Sequence, residues 1–299
     1  MNEPDFDPQP LALDSGRGNA MTVDVEEYFH VSAFEDHIDP REWATMPSRV
    51  EASTDRILSL FEAAGVKATF FTLGWVAERQ PALVRRIVDA GHELASHGQN
   101  HARAFQQEPA AFVADITRAK DVLEQAGGVA VRGYRAPSFS IDRRNLWAFD
   151  ALAEAGYTYS SSVFPGHHTA YGMPDAPRFA FRHRPGGLLE IPITTADLGL
   201  RRLPCAGGGF FRLYPYALTR RLLERVTRAE GQAAIFYFHP WEIDPDQPRI
   251  SGLALRTRVR QYLNLSRVES RLERLLRAFT WDRMDRIFPV DAPPETASA

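Results

Sequence analysis

Apolar residues along this chain follow two alternating rhythms. Short unbroken runs give way to longer stretches in which they recur with the 3.6-residue period of a helix. Ala20–Val25 reads as a strand ending at an acidic cluster. Ser48-x-x-Glu51 has the form of a capping box, predicting a helix through about Ala64 that Gly65 closes. Lys67–Leu73, rich in Phe and Thr, predicts a strand. Pro81–Ala90 predicts a helix, followed by Gly91 and a short strand at His92–Ser96. Glu108–Ala126 carries Phe112, Ile116, Ala119, Val122 and Leu123 at helical spacing and stops at Gly127-Gly128. Val131–Tyr134, Arg143–Ala155 and Tyr157–Tyr159 continue as strand, helix, strand.

Strand alternating with helix at this spacing predicts a parallel β/α arrangement. The second half is less regular. Leu188–Ile193 and Ala233–Phe238 read as strands, and Tyr214–Ala229 and Ser266–Phe279 as helices. No polar linker separates two domains, so one domain over residues 20–285 is expected, with an elaboration from about 160 onward. Residues 1–19 and 286–299 read as tails, the first flexible.

Size and charge narrow the function. With 299 residues and 44% hydrophobic positions, the chain can bury a large core. A formal charge of −3 with mixed signs argues against nucleic acid as a partner. The single cysteine, Cys205, excludes both a disulfide framework and a Cys-rich zinc module. No apolar stretch reaches the length of a signal peptide core or a membrane span, so a cytoplasmic location is expected. The sequence leaves the oligomeric state open.

The chemistry gathers at strand ends. His97 and His101 are two imidazoles four residues apart, and Asp24-Val25-Glu26 supplies carboxylates from another strand. Two histidines and a carboxylate are the donor set of a catalytic zinc site with a position left open for water. Asp24, His97, Arg135 and His239 each follow or close a predicted strand, where parallel α/β folds collect ligand and catalytic groups. Gly207-Gly208-Gly209 lacks the Lys-Ser/Thr of a phosphate loop and reads as tight packing or a substrate-facing turn.

Thr22-Val23-Asp24, His97-x-x-x-His101, Arg135-Ala136-Pro137-Ser138-Phe139 and Phe238-His239 occur in an order that resembles the polysaccharide deacetylases, the NodB-homology fold of carbohydrate esterase family 4. Tyr159–Pro165, Gly207–Arg212, Phe238–Glu242 and Tyr262–Leu265 resemble the subgroup found with exopolysaccharide and exosortase loci. The resemblance implies a distorted (β/α)7 barrel of the α/β class with a C-terminal elaboration. It also implies a divalent metal, usually Zn2+ but alternatively Co2+ or Ni2+, and removal of N-acetyl groups from an N-acetylated saccharide in exopolysaccharide biosynthesis.

Carried onto this chain, the resemblance makes His97 and His101 metal ligands and Asp24 the general base. His239 becomes the general acid, with Arg135 holding Asp24 ionised through a bidentate pair. Phe139, Pro137, Tyr171 and Trp241 become candidates for sugar contact. Two positions depart from the family. Val25 stands where most members carry a second Asp; because side chains i and i+2 share a face of an extended segment, Glu26 is the expected third ligand, with Glu27, His30 or Asp24 as alternatives, and Glu27 faces away if the strand persists. Ser160 stands where an Asp would tune the acid histidine. A small-amide hydrolase of the allantoinase-like branch and a non-catalytic saccharide binder are the alternative readings.

Overall fold

The computed structural model describes residues 6–11, 16, 18–167, 171–199 and 202–290. Seven parallel strands form its centre: β1 (Asn19–Val25), β2 (Thr69–Thr72), β3 (Glu93–Ser96), β4 (Gly133–Tyr134), β5 (Tyr159–Ser160), β6 (Leu189–Glu190) and β7 (Ile235–Phe238). They pair in the order β6-β5-β4-β3-β2-β1-β7, as the alternating strand and helix signals predict. The path of paired strands is open between β6 and β7. Thr194 Oγ1, a few residues beyond β6, nevertheless accepts from Ile235 N of β7 at 2.7 Å, and Gly207 bridges Tyr237 in parallel.

Ala20, Phe71, Ala95, Tyr159, Leu189 and Ile235 belong to one apolar cluster, with polar side chains such as Thr22, Thr69 and Glu93 buried near it. Met21, Val23 and Val25 alternate onto the opposite face, beneath the helices. Helices α1 (Val50–Ala64), α2 (Gly74–Arg79), α3 (Pro81–Asp89), α4 (Pro109–Gly127) and α5 (Trp147–Glu154) follow β1 to β4 in turn. Neighbouring sheet and helix thus share the 2.0 and 3.6 periods legible in the sequence.

Register decides where function can sit. Val25, Thr72, Ser96, Tyr134, Ser160 and Glu190 form one row of paired positions across six strands. The next residues on three of these strands are Glu26, His97 and Arg135. They emerge side by side at the carboxyl rim.

Several expectations change. The Ser48–Glu51 capping box does not form: Arg49 caps α1 without a side-chain bond, and Glu27 instead accepts from Arg49 N at 2.9 Å and from Ser48. Within the expected N-terminal tail, Gln9–Pro10 pairs antiparallel with Phe181–Arg182, and Phe6 packs edge-on against Phe181. At the other end, Met284–Ile287 is a helix, and Phe288 and Val290 are buried. Buried Glu93 ties this segment down, accepting from Thr69 Oγ1 at 2.5 Å, Tyr159 Oη at 2.8 Å and Asp285 N at 3.2 Å. Gly207-Gly208-Gly209 leads into α6 (Gly208–Leu213), which is followed by α7 (Tyr216–Glu224). A Cβ on Gly207, whose φ is +124°, would lie 1.9 Å from Tyr237 O, so close strand contact accounts for that glycine.

Glu190 yields a test of the buried interior. Its Oε1 accepts from Ser162 N and Val163 N at 2.8 Å each, yet burial pushes its pKa up to about 7. The folded state therefore holds a proton that the unfolded chain releases near pH 4.5. That stabilisation is complete below about pH 4.5 and is lost as pH rises through about 7. Glu190→Gln removes the titration while keeping the acceptor. The unfolding free energy of wild type relative to this variant falls by about 3 kcal/mol between pH 4.5 and 8 in denaturant titrations; parallel curves would contradict the account.

Candidate active site

Alternation along β1 directs Ala20, Thr22 and Asp24 toward the sheet interior, and Glu26 continues the series one residue past the strand. Asp24 is 2% exposed and bonds through Oδ1 to Arg135 Nη1 at 2.5 Å. The contact is single, where the resemblance implied a bidentate pair. Arg135 divides its other donors among Thr22 Oγ1 at 2.8 Å, Ser161 Oγ at 3.1 Å and Ser161 O at 3.3 Å. Its guanidinium also lies 4.0 Å from the Phe71 ring centre.

His97 and His101 stand on the loop after β3 rather than on a helix. That loop is held from beneath. Gly74 N and Trp75 N, at the start of α2, donate to the carbonyls of Gly98 and Gln99 at 2.9 Å each. Asp115 Oδ2 accepts from Gln99 N at 3.0 Å. Gly98 and His101 take φ of +78° and +55°, which turns the second imidazole back toward the first.

Ligand atoms of Glu26, His97 and His101 all lie within 4.8 Å of one another. His97 Nδ1 is 2.8 Å from Arg135 O, which leaves Nε2 as the outward donor. Burial pushes its pKa down to about 4, so the ring is neutral. Glu26 Oε2 is buried and accepts no aligned hydrogen bond, although His101 Nε2 is 2.7 Å away. Burial favours a neutral Glu26, but His101, His239 and His97 together hold its carboxyl well below the usual range. One carboxylate and two imidazoles with converging lone pairs fit a divalent cation of the zinc type.

His239 follows β7 and faces this cluster, with Nε2 3.9 Å from Asp24 Oδ2 and 3.8 Å from Glu26 Oε1. Burial opposes its charge, but the bond to Glu242 and the nearby carboxylates raise its pKa to about 9. Trp241 is 5% exposed, stacks on His239 at 4.9 Å and donates Nε1–H to Glu26 Oε1 at 3.0 Å. Pro137 and Phe139 are also buried, while Tyr171 is half-buried. Phe139 packs on Tyr171 and Tyr237, its centroid 6.3 and 4.9 Å from theirs. Ser138 and Phe139 both have positive φ, +56° and +51°, an uncommon conformation for side chains of this size.

Glu27 turns away from the site to serve α1. His30 accepts from Glu27 N at 3.1 Å and stacks at 6.4 Å from His101; burial pushes its pKa down to about 3. His168 lies outside the described residues. Two residues that the sequence reading placed in motifs but gave no role, Glu242 and Arg212, stand behind His239. The i, i+3 spacing of His239 and Glu242, typical of a capping box, was the available signal: Glu242 Oε2 accepts from His239 N at 3.1 Å. Nothing in the sequence pattern joins Arg212 to them.

Known proteins resemble this chain in two successive parts. The polysaccharide deacetylase family model matches residues 36–160, and a domain of unknown function, DUF3473, matches residues 161–289. A peptidoglycan-N-acetylglucosamine deacetylase of Bacillus cereus is 32% identical over 173 residues, 54% of this chain and 62% of its own length. A chitooligosaccharide deacetylase of Bradyrhizobium is 34% identical over 101 residues, 33% of this chain and 43% of its own. The chain thus spans less than two thirds of these curated relatives. Among solved structures, a Mycobacterium smegmatis protein named for a suspected polysaccharide deacetylase activity superposes with a TM-score of 0.61 at 18% identity, covering 97% of each chain. PuuE allantoinase gives 0.60 at 15% identity over 96% of each. These two show that the fold is of the deacetylase and allantoinase barrel type. Residues 36–160, which carry the histidine pair and the rim arginine, thus match the polysaccharide deacetylase family, and residues 161–289 match DUF3473.

Proposed function

We propose that the protein is a metal-dependent hydrolase that removes N-acetyl groups from an N-acetylated saccharide during exopolysaccharide production in the cytoplasm. The observation that carries this reading is the meeting of Glu26, His97 and His101 within 4.8 Å, with Asp24 and His239 beside them. Two relatives named for deacetylation of N-acetylglucosamine in peptidoglycan and of chitooligosaccharide support the substrate class.

In this reading Glu26, His97 and His101 hold a divalent ion, Zn2+ or alternatively Co2+ or Ni2+. Such an ion lowers the pKa of a water and polarises the acyl oxygen when bound. Asp24 takes the proton from the attacking water. Arg135 fixes the direction of Asp24 through its bond to Oδ1. His239 gives its Nε2 proton to the departing nitrogen as the C–N bond breaks, since an amine leaves poorly without one. Phe139 and Tyr171 form the apolar wall near the reacting group, and Trp241 holds the planes of His239 and Glu26.

Two sets of variants test the assignment. Asp24→Asn and His239→Ala each lower acetate release from N-acetylated chito-oligosaccharides by about 10²–10⁴-fold while metal content stays at wild type; near-wild-type release from both overturns the roles. Glu26 and Glu27 separate by a different readout. Glu26→Ala loses the metal on purification. Glu27→Ala keeps it but lowers stability by about 1–2 kcal/mol through the lost α1 contacts. Metal loss in Glu27→Ala alone would reassign the third ligand.

A further inference from the structure

We infer that Glu242 and Arg212 are the positioning pair of the acid histidine, so that the region of unknown function supplies both the acid and the groups that aim it. This rests on the hydrolase reading above. Ser160, where an acid-tuning carboxylate is missing, commits its hydroxyl to Ser162 Oγ at 2.8 Å. The carboxylate arrives from Glu242 instead, whose Oε2 lies 2.9 Å from His239 Nδ1.

A carboxylate can only accept, so Nδ1 carries a proton and Nε2 is the atom presented to the site. When Nε2 gives its proton to the amine nitrogen, the ring is left neutral with its remaining proton on Nδ1, where Glu242 accepts it. Glu242 cannot rotate away. Its Oε2 also takes His239 N, and its Oε1 takes Arg212 Nε at 2.6 Å. Arg212 in turn donates Nη1 to the carbonyls of Arg260 and Gln261 at 2.9 and 2.8 Å, at the end of α8 (Leu255–Tyr262). Arg212 and Glu242 are 3% and 1% exposed. His239, Glu242, Arg212 and α8 all fall within residues 161–289. The deacetylase-matched segment therefore contributes His97, His101 and Arg135, and the remainder contributes the proton donor and its support.

Glu242→Gln in the full chain is the discriminating variant. Arg212 demands the amide oxygen, which turns the amide NH2 toward Nδ1 and forces the wrong tautomer. We expect kcat on an N-acetylated chito-oligosaccharide to fall by about 10²-fold or more with KM changed less than threefold. On 4-nitrophenyl acetate, whose phenolate leaves without a proton, the loss should be below tenfold. Metal content should match wild type. An equal loss on both substrates, or amide kcat within threefold of wild type, overturns the inference. His239→Ala run alongside separates the two claims: if it shows no amide-over-ester selectivity, the acid assignment itself is wrong. Independently of any variant, the wild-type protein should show a downfield His239 Nδ1–H proton resonance, and a deprotonated Nδ1 would contradict the pair.

Discussion

Arg135 is the group on which the rim of this sheet depends. It is fully buried, and its guanidinium reaches Thr22 and Asp24 of β1, Ser161 just past β5 and the face of Phe71 in β2. A guanidinium there is tolerable only because a carboxylate and several oxygens meet it. Removing either partner strands the other, at a cost of about 3–5 kcal/mol for a buried pair. The same contact has a chemical consequence. By occupying Asp24 Oδ1, Arg135 leaves Oδ2 as the oxygen turned toward His239, and the neighbouring cluster takes its carboxylate from Glu26.

Three carboxylates within four residues thus acquire three fates from backbone geometry alone. Asp24 sits inside β1 and faces the arginine. Glu26, two positions on, keeps the same face and meets His97 and His101. Glu27 falls on the other side and serves the start of α1 through Arg49 N. Val25 fills the position between, buried in the layer under the helices. Glu26 can therefore join His97 and His101 without a carboxylate at position 25, because residues i and i+2 share a face of an extended segment.

Much of this was legible in the sequence, for identifiable reasons. The parallel strands and α1, α3, α4 and α9 (Val268–Ala278) announce themselves by strong periodicity, and the shared position of Asp24, His97, Arg135 and His239 at or just past the carboxyl ends of strands follows from the fold class. What remained hidden depends on contacts distant in the chain. Arg212 meets Glu242 across 30 residues of sequence, and no local pattern encodes that. The α2 and α8 helices are too short, and α8 too polar, for a period to stand out. The terminal segments read as tails because Gln9–Pro10 pairs with a partner more than 170 residues away and Met284–Ile287 is pinned by Glu93. The capping box failed because a tertiary acceptor, Glu27, displaced the local one.

The division of labour between Asp24 and Glu26 is most directly examined by a crystal structure of the zinc-loaded protein with anomalous data at the zinc edge. The account predicts one peak bonded to Glu26, His97 and His101 at about 2.0–2.2 Å, with Asp24 outside bonding distance and still paired to Arg135. A peak that includes Asp24 in place of Glu26, or no peak among these residues at saturating zinc, would contradict it.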